Sequence, residues 1–123
     1  MKKILIVDDQ APIRELVFET LNGLGDYKII QTGSGEESIK IARREKPHLI
    51  FLDIMMPGGI DGLEVTKILK TDPQTRNCII ILLSAKGQNL DKEKGFESGA
   101  DDYLVKPFSP LKLIEKVEDL LGH

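Results

Sequence analysis

The run Leu49-Ile50-Phe51-Leu52-Asp53 decides the fold: four large apolar residues without polar alternation, closed by a carboxylate. Such a run fits a strand covered on both faces, as in a parallel sheet, rather than a strand with one wet face. Ile4–Val7, followed by Asp8 and Asp9, has the same character, as does Cys78–Leu83, followed by Ser84. These three read as central strands. Tyr27–Gln31 and Tyr103–Val105 are shorter or more mixed and suit the edges of a sheet.

Helical spacing fills the intervals. Ile13, Leu16, Val17, Leu21 and Leu24 recur at 3.6-residue spacing, with Pro12 in the first turn, where its missing N–H costs nothing. Glu36 and Glu37 fall in the first turn of a second helix that Pro47 ends near Lys46; their charge suits the positive end of the helix dipole. A third helix spans about Leu63 to Lys70, stopped by Asp72-Pro73. The fourth, about Asn89 to Ser98, offers only Leu90 and Phe96 as large apolar residues and is interrupted by Gly95, so its hold on the sheet is expected to be weak. The fifth opens with Ser109 as N-cap and Pro110 at the first helical position, and is expected to bury Leu113, Ile114, Val117 and Leu121. Five consecutive βα units predict a flavodoxin-like (βα)5 open parallel sheet, strand order 2-1-3-4-5, with helices on both faces.

The 123 residues fit one domain spanning 1–123, with 41% hydrophobic and 30% charged residues inside the globular range. Seventeen Lys and Arg against 20 Asp and Glu leave a net charge of −3 with no basic block, which argues against direct nucleic-acid or membrane-surface binding. The single Cys78 and the lack of a CxxC pair fit a reducing, cytoplasmic setting without structural zinc. After Met1-Lys2-Lys3, only four apolar residues precede Asp8, too few for a signal peptide. No stretch approaches the roughly 20 apolar residues of a membrane helix.

In open α/β sheets the functional crevice lies beyond the carboxyl ends of the strands. Asp8 and Asp9 follow the first strand, Asp53 ends the third, Ser84 the fourth and Lys106 the fifth. Three carboxylates meeting at one rim would repel one another unless a cation sat among them. Oxygen-only ligation without His or Cys favours a hard ion, and so few carboxylates suit Mg²⁺, with Mn²⁺ as a substitute, rather than Ca²⁺. Singly, Asp8-Asp9 would read as helix-capping acids, Asp53 as a turn cap, Ser84 as a loop hydroxyl and Lys106 as a surface lysine. Jointly they suggest an Asp53 nucleophile towards phosphorus, with the metal and Lys106 neutralising phosphoryl oxygens and Ser84 donating a hydrogen bond.

Val7-Asp8-Asp9, Leu52-Asp53-Ile54-Met55-Met56-Pro57, Asp61-Gly62, Leu83-Ser84-Ala85 and Gly99 through Phe108 give the whole chain a specific resemblance to the CheY-like receiver domains of bacterial two-component response regulators. The resemblance implies that Asp53 accepts a phosphoryl group from a phosphohistidine of a sensor histidine kinase or phosphotransfer protein. It implies direct Mg²⁺ ligation by Asp9, Asp53 and the Met55 carbonyl, with Asp8 acting mainly through water. Ser84 and Tyr103 would be the switch residues, Tyr103 being compatible also with an edge-strand tyrosine packed on the fifth helix. Lys106-Pro107 would be cis. The output face would be the fourth helix, fifth strand and fifth helix of a monomer or weak phosphorylation-dependent dimer, and the protein a phosphoacceptor rather than an enzyme.

Two departures stand out. The loop from Met56 to Gly62 carries one residue more than the usual spacing, which Gly58-Gly59 can absorb. Met55, two residues beyond Asp53, and Lys86, two beyond Ser84, occupy positions that in the family the chain resembles modulate hydrolysis of the phosphoryl group; an apolar Met offers nothing to orient an attacking water, which predicts slow autodephosphorylation. The chain stops about a turn past the fifth helix, which predicts a stand-alone receiver. The alternative is a receiver cut from a longer DNA-binding regulator that dimerises on phosphorylation. Where the paired-receiver class has two basic residues on the fifth helix, this chain has Lys116 and Glu118, a charge reversal that weakens that alternative. A flavodoxin-type FMN carrier is disfavoured, because Asp8 and Asp9 stand where the FMN phosphate would bind.

Overall fold

The computed structural model describes residues 1–85 and 89–122, with residues 89–93 described by their backbone alone. Strands and helices alternate as β1 (Lys2–Val7), α1 (Ala11–Asn22), β2 (Tyr27–Thr32), α2 (Gly35–Glu45), β3 (Leu49–Asp53), α3 (Gly62–Thr71), β4 (Ile79–Ala85), α4 (Asn89–Ser98), β5 (Asp102–Lys106) and α5 (Pro110–Leu121). The strands form one parallel sheet in the order β2-β1-β3-β4-β5. This is the flavodoxin-like (βα)5 arrangement expected of the apolar runs, with the three most apolar strands in the centre.

Strand alternation divides the core into two layers. Leu5, Val7, Ile50, Leu52, Ile80 and Leu82 pack against Ile39 and Ala42 of α2 and Val65 and Leu69 of α3. Ile4, Ile6, Leu49, Phe51, Ile81 and Leu83 pack on the other face against Val17 and Leu21 of α1 and Leu113 and Val117 of α5. The central strands are therefore apolar along their buried middles, Ile4–Val7, Leu49–Leu52 and Ile80–Leu83, because both faces are covered there.

Three helices start on side-chain caps: Ser34 accepts from Glu37 N, Asp61 from Glu64 N and Ser109 from Lys112 N. Lys46, in the left-handed region at φ 48°, closes α2. α1 differs, since Gln10 holds the cap position with no side-chain bond, and Asp8 Oδ1 instead accepts the Gln10 amide at 2.9 Å.

The boundaries depart from the periodicity in two places. Leu24 lies past the end of α1 and is 39% exposed, because the chain must turn at Gly23 to enter β2. In α5 only Leu113 and Val117 are buried, while Ile114 and Leu121 are half-buried, since a surface helix covers only one stripe of its circumference. No helix among the described residues is long and apolar enough to cross a membrane.

Candidate functional site

The parallel sheet carries the ends of β1, β3 and β5 to one rim. Asp8 and Asp9 leave β1, Asp53 is the last residue of β3, and Lys106 is the last of β5. Oxygens of Asp8, Asp9 and Asp53 lie within 4.8 Å of one another. Lys106 Nζ stands 2.8 Å from Asp8 Oδ2 and 3.4 Å from Asp53 Oδ1. Asp9, Gln10, Asp53, Met55, Pro57, Ala85 and Lys106 line an open cleft of 350 Å³.

The backbone fixes these side chains. Asp8 N donates to Thr32 O of β2, and Ile54 N to Leu83 O of β4, so the residues at the ends of β1 and β3 stay in register with their neighbours. Met55 N donates to Asp53 Oδ1 at 3.3 Å. Gly62 N closes the β3–α3 loop by donating to Ile54 O. A β-carbon at Gly62 would overlap the Asp53 carbonyl, so the Asp61-Gly62 pair admits α3 to a contact that no other residue permits.

The electrostatics set the three acids apart. Asp8 is fully buried and Asp53 nearly so, whereas Asp9 is exposed. Burial first, and the Asp8 carboxylate second, push the Asp53 carboxyl up from the ordinary 3.8 to about 7, against the pull of Lys106. Asp8 Oδ2 is buried and its charged neighbour is the Lys106 ammonium at 2.8 Å. Three carboxylates at one rim, the innermost buried and balanced by the single Lys106 ammonium, are a donor set that fits a hard divalent cation.

The other residues singled out in the sequence fall in two groups. Met55 lines the cleft, but its side chain is 59% exposed and offers no polar atom besides sulfur. Ser84 lies inside β4, where alternation turns it to the same face as Leu82. It is buried and lines a small pocket with Ile54, Gly95, Phe96 and Tyr103. Tyr103 sits opposite Leu82 in the sheet register, and its ring meets Phe96 of α4 edge-on at 5.8 Å. Leu104 takes the α5 face instead, so the expected packing of Tyr103 on the fifth helix gives way to packing on the fourth. The Lys106-Pro107 bond is cis. Lys86 lies outside the described residues.

Sequence reasoning missed two supports. Arg14, one turn into α1, donates to the Asp8 carbonyl at 2.6 Å. Gln10 joins the cleft wall while its amide holds Asp8. Their proximity in sequence to Asp8 was the available signal, but a polar residue early in a surface helix has no signature that separates it from solvated neighbours.

A five-stranded sheet in this order, with paired acids after β1, an acid ending β3 and a lysine ending β5, is the architecture of a signalling receiver. The response regulator receiver domain family matches residues 4–118, and the chain belongs to it. Members of this family generally bind Mg²⁺ at an acidic cluster and undergo phosphorylation. The chain is 45% identical over 120 residues to the alkaline phosphatase synthesis transcriptional regulatory protein PhoP of Bacillus subtilis, covering 98% of this chain and 48% of the relative. It is 38% identical over 120 residues to the phosphate regulon transcriptional regulatory protein PhoB of Klebsiella pneumoniae, covering 98% and 52%. The chain thus spans about half the length of these curated relatives. A crystal structure of a putative response regulator from Chloroflexus aurantiacus superposes with a TM-score of 0.92 at 36% identity, covering 99% of this chain and 98% of that one.

Proposed function

We propose that Asp53 is the phosphoacceptor of this receiver and that Asp8, Asp9, Asp53 and the Met55 carbonyl hold Mg²⁺ beside it. The observation that carries the reading is the rim itself: three carboxylates within 4.8 Å, two of them buried, faced by the single ammonium of Lys106. A carboxylate oxygen of Asp53 attacks the phosphorus of a phosphohistidine, a new O–P bond forms, and the N–P bond breaks with the electron pair leaving on the imidazole. The bound cation would supply charge neutralisation of the phosphoryl oxygens. Lys106 adds a second positive charge at the same rim. Lys106 also leans on Asp8 before transfer, so a new anion at Asp53 competes for its ammonium. Ser84 and Tyr103, which line one pocket behind the rim, then carry the change to α4, β5 and α5. Lys86, two residues beyond Ser84, is a second tuner of phosphoryl lifetime.

In this reading the protein is a signalling phosphoacceptor of the cytoplasm, a single domain across 1–123, whose only chemistry is its own phosphorylation and dephosphorylation. Its donor is a histidine kinase or a phosphotransfer protein. A second reading, that the receiver serves a transcriptional regulator, is favoured by the relatives, which carry that description and are about twice as long. Acetyl phosphate with Mg²⁺, followed by intact mass, tests the first reading: one phosphoryl group is expected, lost in Asp53→Asn. No gain, or a gain that survives that substitution, would overturn it. Beryllofluoride with light scattering tests the second, for which dimerisation is the expected response.

A further inference from the structure

The β3–α3 loop, longer by one residue on the reading of its resemblance, has a definite partner. Gly58, at φ 90°, forms the tip, and nothing lies within 4 Å of where its β-carbon would be. The returning limb is clamped instead. Glu36, in the first turn of α2, accepts a hydrogen bond from Ile60 N at 2.8 Å through Oε1. Its two carboxylate oxygens stand 2.5 and 2.6 Å from the place a Gly59 β-carbon would take, and Ile60 O stands 2.8 Å from the place a Gly35 β-carbon would take. Backbone at Gly35 therefore packs on backbone at Ile60, with the Glu36 carboxylate as a clasp spanning 24 residues of sequence.

The same short segment also touches the other half of the rim. Gly33 comes within 3.5 Å of Asp8 O and 3.7 Å of Asp9 Cα, measured from its β-carbon position, and Asp8 N donates to Thr32 O. Thr32 Oγ1 in turn donates to Glu37 Oε1 at 2.8 Å. Residues 32–37 thus brace the segment bearing Asp8 and Asp9 on one side and the loop bearing Met55 on the other.

We infer that Glu36 is a positioning residue for the cation site: by clasping Ile60 it holds the lengthened loop so that the Met55 carbonyl is already in place when the ion arrives. A loop ordered in advance lowers the cost of binding. The inference rests on the proposed cation site, and it concerns an acceptor atom rather than a charge. Losing one net hydrogen bond corresponds to roughly a two- to tenfold loss of affinity.

Titration calorimetry with Mg²⁺ and amide exchange in the metal-free protein test it together. Glu36→Ala should weaken Mg²⁺ binding by roughly that factor and speed exchange of the Ile60 amide, with the melting temperature lower by no more than about 5 °C. Glu36→Gln keeps an acceptor oxygen and should restore both. Gly59→Ala, whose β-carbon would displace the carboxylate, should weaken binding without adding to Glu36→Ala in the double variant. Unaltered affinity in Glu36→Ala, or a Gln variant as weak as the Ala variant, would overturn the inference. Failure of the wild-type chain to bind Mg²⁺ would overturn the cation site beneath it, an outcome distinguished by the Ile60 exchange, which needs no metal.

Discussion

Asp53 is a carboxyl whose environment resists ionisation. Burial and the Asp8 charge raise it from 3.8 in an ordinary setting to about 7. Between those values the folded chain retains a proton that the unfolded chain releases, so metal-free stability falls as pH rises from about 4 to 7. Replacing Asp53 by Asn removes that loss. In chelator, the variant is expected to be more stable than wild type above about pH 7, by roughly 2–4 kcal/mol, with the difference vanishing near pH 4. Urea unfolding at both ends of the range measures it, and a variant no more stable than wild type at about pH 8 contradicts the argument. In the proposed reading Met55 bears on a different step, loss of the phosphoryl group. Its exposed side chain lines the cleft without a group to orient water, so Met55→Asn is expected to hasten decay of the aspartyl phosphate several-fold. Decay followed by intact mass that is unchanged or slower would sink that role. The four charged members of the rim were legible in the sequence because each follows an apolar run. Which of the two adjacent acids is buried was not, since the choice depends on Thr32 of β2 and Gln10 fixing Asp8.

At the scale of elements, the site depends on how closely α3 approaches the end of β3. Gly62 N donates to Ile54 O, and the Asp53 carbonyl occupies the space of a Gly62 side chain. Because the obstructing atom is backbone at the end of a central strand, it cannot rotate away. Gly62→Ala is therefore expected to destabilise the fold by about 1–3 kcal/mol, as overpacking does, and to slow phosphorylation by acetyl phosphate as well. Full stability in urea unfolding would show that α3 can slide outward at no cost. The helices and strands themselves were legible from periodicity, caps and prolines, including α4 as an element with little apolar surface. Phe96 of α4 is 47% exposed and meets Tyr103 only by its edge. The clasp between Glu36 and Ile60 was not legible. The loop's extra residue could be counted, but a hydrogen bond spanning 24 residues leaves no trace in local spacing.

At the scale of the molecule, fold and site are one thermodynamic system, because the three acids come together only when β1 and β3 pair. The unfolded chain separates Asp8 and Asp9 from Asp53 by more than 40 residues, so a cation that needs all three binds the folded state selectively and must stabilise it. At a free Mg²⁺ concentration ten times the dissociation constant, the gain is about 1.4 kcal/mol. For a domain of this size that corresponds to a rise in melting temperature of roughly 5 °C. The net charge of −3 is too small for general screening to produce the same result, and Na⁺ at matched ionic strength should produce little of it. Asp53→Asn should begin more stable than wild type in chelator near pH 8 and gain less from Mg²⁺. The cation and the neutral side chain relieve the same repulsion at Asp8, so their effects cannot add. Calorimetric melts of both proteins with and without Mg²⁺ complete the cycle. Equal gains in the two proteins would mean that the ion binds elsewhere and that the buried oxygen of Asp8 is not part of its site.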